Sequence, residues 1–187
     1  MRRVLDSKLI HYKGPVVFWP KTVPLKVRSF VWRADLSRIH VAIELSERGV
    51  KVPNQMCHLC NKALESVDHL LVSCEFAMGV FECVFKWCGI RTQQFSKVSE
   101  VINFAASWGN CPRKRTIVST ILLCLLWNIW RAMNDRVFKD LKTSYTKVAD
   151  NIISLSFLWC NHRSSNGCGS WVDWCCSSFL HLTNVVL

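Results

Sequence analysis

The sequence predicts a mainly α fold, in which a small zinc-knuckle helical module is followed by a helical C-terminal region. Three observations carry this expectation. Apolar residues recur at helical spacing in successive segments, as with Val27, Phe30, Val31 and Ala34. The most apolar run, Thr116 to Trp130, has the length of a buried helix. Between these stretches lie Cys57, Cys60, His69 and Cys74, a C-x2-C, H, C set with the donors that zinc prefers.

In chain order, Met1 to Lys13 has no clear period, and Gly14-Pro15 separates it from Val16 to Trp19, a short strand or an apolar peg. A first helix is expected from about Pro24 to Leu36, since proline is tolerated in a first helical turn. A second covers Val41 to Arg48, with Ile43 and Leu45 apolar, Glu44 and Glu47 exposed, and Gly49 in the left-handed position after its end. Val50 to Met56 reads as an extended lead-in with a turn at Pro53-Asn54. Ser66 is placed to cap a helix beginning at Val67, with Asp68 in its first turn.

His69 and Cys74 are five residues apart, and five steps of about 100° put them on different faces of an α-helix. A break is therefore expected near Ser73 and Cys74, before a helix from Glu75 to Trp87 that Gly89 ends. A polar connector follows, then a short helix from Val101 to Trp108. One long helix spans Arg113 to Phe138, its second half setting Trp127, Trp130, Met133 and Val137 against Arg131, Asn134, Asp135 and Arg136. Another spans Tyr145 to Cys160, with Val148, Ile152, Leu155 and Trp159 as its stripe, and the Ser/Gly/Cys-rich tail keeps Trp171 and Trp174 as anchors. The expected units are 1–15 (an N-terminal extension), 16–90 (the zinc module), 91–112 (a connector), 113–160 (the helical region) and 161–187 (a poorly ordered tail).

Four protein donors would leave no open position for water, so one Zn2+ at Cys57, Cys60, His69 and Cys74 would be structural. Alternatives stand beside that reading. Free cysteine is among the most buried residue types, so any one of these could be core. His58 is the rival nitrogen donor, although its place inside the two-residue knuckle should turn it outward. Cys83 and Cys88 are the rival sulfurs, expected to be buried along the following helix.

The 187 residues are enough for one domain or two small ones. Half are hydrophobic, which argues against general disorder. A formal charge of +11 favours polyanionic partners such as RNA or DNA. Eleven cysteines, an odd number, with Met1-Arg2-Arg3 leading into a mixed polar segment, suggest an intracellular, nuclear or cytoplasmic protein with zinc and free thiols, not a secreted disulfide framework. The apolar run is short of a membrane span and contains Ser119, Thr120 and Asn128, so no membrane is expected.

Trp19, Val23-Pro24, Lys26-Val27, Phe30 and Trp32-Arg33 come first in an ordered pattern. Leu45, Arg48-Gly49, Cys57-x2-Cys60, Glu65, His69-Leu70 and Cys74 complete it. The pattern resembles the zinc-binding domain downstream of the polymerase in plant non-LTR (LINE-type) retrotransposon reverse transcriptases, over about residues 16 to 90. Leu126 to Asn134, with its Trp-x2-Trp followed by Arg and Asn, resembles the segment that often follows that domain. Phe81 stands where the family usually has Trp, and Ile39-His40-Val41 departs from its usual Leu-Pro-Thr.

No paired aspartates of the kind needed for two-metal phosphoryl transfer occur, so no enzyme is expected. What the resemblance implies is a non-catalytic tail module of a retroelement, or of a host gene derived from one. Lys26, Arg28, Arg33, Arg38 and Lys62 would contact phosphates, while Trp32 is expected in the core. The rival expectation is a protein-interaction module that docks on a reverse-transcriptase polymerase domain, or a decayed fragment without activity.

Overall fold

The apolar run forms the central helix of a mainly helical molecule. The computed structural model describes residues 18–163 and 169–176. Within these lie α1 (Leu25–Asp35), α2 (Ala42–Glu47), a π-helical turn (His69–Ser73) and α3 (Glu75–Cys88). They are followed by α4 (Val98–Ser107), α5 (Pro112–Lys139), α6 (Tyr145–Arg163) and α7 (Trp171–Cys176). The β-type pairing among the described residues is a single antiparallel bridge, Met56 with Leu64.

Helix α5 packs against α1, α4 and α6, and α3 packs against α6. Its first half is buried all round, from Ile117 to Leu126. It is long and apolar enough to cross a membrane, but 78% of its most apolar window is buried inside the fold. The polar residues of the run are bonded within the protein. Thr120 Oγ1 meets Thr22 Oγ1 at 2.6 Å, Ser119 Oγ donates to the Ala105 carbonyl at 3.1 Å, and Asn128 Nδ2 donates to the Cys124 carbonyl at 2.8 Å. Each buried polar group thus avoids the penalty of being left unpaired.

Helix α1 buries Val27, Phe30, Val31 and Ala34, as its period predicts. Phe30 packs its ring against Trp127 and Trp130 of α5, at centroid distances of 5.3 and 5.0 Å. Gly49 has φ +82°, and Val50 N–H reaches back to the Leu45 carbonyl at 3.0 Å, so α2 ends in the left-handed cap expected of that glycine. Trp19 has no regular structure and packs against the core, which makes it a peg, not a strand.

Several expectations need correction. Glu44 is buried, not exposed: its carboxylate accepts the Val67 N–H at 3.3 Å, at the start of the helix that carries His69. Helix α4 starts at Val98, three residues before the expected Val101, because Asp68 Oδ1 accepts the Val98 N–H at 2.9 Å. That acceptor lies thirty positions upstream, where no local capping pattern would find it. Val137 is exposed, and the buried side of this half of α5 is Asn128, Ile129, Ala132 and Met133.

Helix α6 runs on to Arg163 and buries Val148, Ile152, Ser156 and Cys160 at four-residue steps, leaving Leu155 and Trp159 at the margin. Within the tail, residues 171–176 are helical. Trp174 is buried there, donating Nε1–H to the Ile153 carbonyl at 3.0 Å and accepting the Trp87 Nε1–H at 3.2 Å. The expectations for residues 1–15 and for the rest of the tail lie outside the described residues.

Candidate metal centre

The four sequence-selected donors come together. One atom from each of Cys57, Cys60, His69 and Cys74 lies within 4.8 Å of all the others. Cys57 Sγ and Cys74 Sγ are 3.8 Å apart, and Cys60 Sγ is 3.3 Å from His69 Nε2. A tetrahedral ion with sulfur at ~2.3 Å and nitrogen at ~2.0–2.1 Å would space two sulfurs by about 3.8 Å and a sulfur–nitrogen pair by about 3.6 Å. A disulfide would need a separation of ~2.05 Å, so the Cys57–Cys74 pair is not a bridge.

Local backbone chemistry builds each arm. Met56 N–H bonds to Asn54 Oδ1 at 2.9 Å, the side-chain turn expected at Pro53-Asn54. Cys57 N–H then bonds to the Ala63 carbonyl at 2.8 Å, Asn61 N–H to the Cys57 carbonyl at 2.7 Å, and Glu65 N–H to the Gln55 carbonyl at 2.8 Å. The result is a tight hairpin whose tip turns through Asn61, at φ +56°. Asparagine suits this left-handed position because its short polar side chain tolerates it.

The second arm resolves the spacing problem of His69 and Cys74. Ser66 Oγ accepts the His69 N–H at 3.2 Å, as an N-cap should. The chain then widens into a π turn in which Cys74 N–H bonds to the His69 carbonyl at 2.8 Å, five residues back. A π turn takes more than 3.6 residues per revolution, so residues five apart come closer to one face than in an α-helix. Cys74 itself is extended, at φ −64° and ψ 138°, and immediately precedes α3. The expected break is therefore a π turn followed by one extended residue.

The electrostatics suit thiolates. Backbone N–H groups of Leu59 and Cys60 point at Cys57 Sγ, and those of Phe76 and Ala77, in the first turn of α3, point at Cys74 Sγ. Lys62 N–H donates to Cys60 Sγ at 3.4 Å. The hydrogen bond shared with Cys74, followed by burial, pushes the Cys57 thiol up, and the same bond draws Cys74 down. Such a pair gains from a cation that would replace the shared proton. Burial holds His69 below the ordinary imidazole value, which keeps it neutral and able to donate a lone pair.

The rival donors are elsewhere. His58 Nδ1 meets Glu65 Oε2 at 3.0 Å, turned away from the cluster as expected. Cys88 is buried and Cys83 half-buried, and neither joins the cluster. The buried Glu65 had no assigned role from spacing, yet its carboxylate also accepts the N–H of His58 at 3.2 Å and of Ala42 at 3.3 Å. It thereby clamps the knuckle to the first residue of α2. A lone glutamate after C-x2-C carries no signal of that role except its place in the resembling pattern.

The basic residues selected from the sequence lie on more than one element. Lys26, Arg28 and Arg33 lie on α1 and Arg38 on the turn after it, and none of the ion pairs among the described residues uses them. Lys26 Nζ sits 5.8 Å from the Trp127 ring centroid. Lys62 grips both oxygens of Glu75, at 2.7 and 2.8 Å, and this bond raises its ammonium pKa. Trp32 is 44% exposed and not in the core, because it lies on the side of α1 opposite Val27 and Ala34.

No curated protein and no solved structure matches the chain at a significant level. The metal cluster lies inside the one segment for which a family is found. Residues 7–81 match the family model described as zinc-binding in reverse transcriptase, and together with the Cys3His cluster this match fits one structural zinc ion.

Proposed function

We propose that the chain is a non-catalytic, zinc-stabilised helical module of LINE-type retrotransposon origin, of the kind found in plants, that assists binding of RNA or DNA inside the cell. Cys57, Cys60, His69 and Cys74 would hold the zinc. With four protein donors the ion supplies a cross-link between the hairpin and the start of α3, and no site for substrate. What carries the nucleic-acid reading is the set of cations on and just after α1. Lys26, Arg28, Arg33 and Arg38 have no carboxylate partner among the described residues, in a chain of formal charge +11. Lys62 would have to leave Glu75 to reach a phosphate, so its share is the smallest.

Phosphate binding by Lys and Arg releases counterions, so affinity for RNA and single-stranded DNA should fall steeply and linearly on logarithmic axes as salt rises. Reversing charge at Arg28 and Arg33 together should weaken binding and flatten that dependence, with zinc content unchanged. A folded, zinc-loaded protein that shows no salt-sensitive binding at low ionic strength would sink the reading. The second reading, docking on a polymerase domain, draws on the apolar groups that α1 leaves in solvent, Leu25 at 70% exposure and Trp32. It takes over in that event.

A further inference from the structure

We propose that the outward face of α1 is a stacking platform on which Trp32, with Trp19 beside it, receives an unpaired base of a single-stranded nucleic acid. The inference rests on the nucleic-acid reading above and specifies the form of strand it concerns.

Leu25, Ser29 and Trp32 recur at four- and three-residue steps, so they form one ridge on the side of α1 away from its buried stripe. With Trp19 and Arg28 they line an open cleft of about 220 Å³. Helix geometry puts Arg28 on one flank of the ridge and Lys26 and Arg33 on the other. Asp35, at the last position of the helix, is its single acidic residue. An indole ring in solvent and cations on both flanks suit a strand that offers a flat base and phosphate oxygens together.

Aromatic platforms beside basic tracks are how proteins hold single strands without reading sequence. A duplex keeps its bases stacked on one another and offers none without flipping it out. A protein partner is the weaker fit, since protein interfaces are depleted of lysine and their cores of charge, whereas Lys26, Arg28 and Arg33 flank this ridge.

The test uses the full zinc-loaded chain and three probes of equal length: an oligo(dT) strand, the same strand without bases, and a duplex. The wild type should bind oligo(dT) about tenfold more tightly than the abasic strand, the order expected for one stacked base. Trp32→Ala should erase that preference and leave abasic-strand binding unchanged, while Trp32→Phe should retain most of it. A strand carrying 5-iodouracil should photo-crosslink to Trp32 or Trp19 in the wild type, a readout that needs no variant to fold. If oligo(dT) and the abasic strand bind equally, or Trp32→Ala keeps the preference, or crosslinks fall only elsewhere, the platform is wrong although the nucleic-acid reading stands. If no probe shows salt-sensitive binding, that reading fails first. Loss of binding to a polymerase domain in Trp32→Ala, with strand binding intact, would assign the face to protein docking and overturn the proposal.

Discussion

At the scale of single residues, the metal centre divides the cysteines by geometry. Cys57 and Cys74 face each other across 3.8 Å, whereas Cys83 lies outside the cluster on α3. Purified protein should carry about one zinc per chain, because structural zinc and folding are coupled. Cys57→Ser or Cys74→Ser should lose the metal and most of the fold, while Cys83→Ser should keep both, as read by metal analysis and circular dichroism. Wild-type protein that is fully folded without zinc would contradict the centre. Glu65 gives a different expectation. Its truncation to Ala strands the buried N–H of Ala42, costing about 1–3 kcal/mol when left unpaired, and the part-buried N–H of His58, which water can partly satisfy. Denaturant unfolding of zinc-loaded Glu65→Ala should show a loss of that order, and Glu65→Gln a smaller one.

At the scale of elements, α5 behaves as the core helix of a folded protein. Leu126 is fully buried, whereas Phe138, near the same helix's end, is 77% exposed. Leu126→Ala should therefore destabilise by about 2–5 kcal/mol. Phe138→Ala should stay within about 0.5 kcal/mol. A lipid-embedded α5 would instead make extraction depend on detergent, and release by high salt or alkali separates the two cases. The helices were largely legible in the sequence because their periods were strong. The limits of α1 and α5 fall within two residues of expectation, and the buried side of α1 is the expected one. Features set by a distant partner were not legible. The start of α4 depends on Asp68, and the burial of Glu44 goes with the Val67 N–H that it accepts.

At the scale of the molecule, the zinc module and the helical region share one core. Its members run from Val23 to Trp174 without a gap at the expected boundary near residue 90. Phe85 of α3 meets Phe95 of the connector and Phe104 of α4, at centroid distances of 6.2 and 6.0 Å. Arg136, near the end of α5, donates to the Leu59 carbonyl in the knuckle at 3.4 Å. A fragment of residues 16–90 would expose Phe30 where Trp127 and Trp130 cover it, and Phe85 where Phe104 does. That fragment should bind zinc more weakly than residues 18–176 and melt without a sharp transition. A fragment with the affinity and cooperativity of the longer piece would show the two units to be independent.

The sequence by itself determined the helices with strong apolar periods and the identity of the four clustered donors. Both are local properties: a helix buries whichever stripe repeats along it, and C-x2-C with a capped histidine turn brings its donors within a short loop's reach. Tertiary structure alone decided how His69 and Cys74 meet, because the choice of a π turn over an α turn depends on packing and leaves no mark in residue type. It also decided that Glu65, Asp68 and Glu44 serve backbone groups on other elements, and that Trp32 faces solvent. A tryptophan at a given helical position is core or surface according to what packs against that side, and against this side of α1 no described element does.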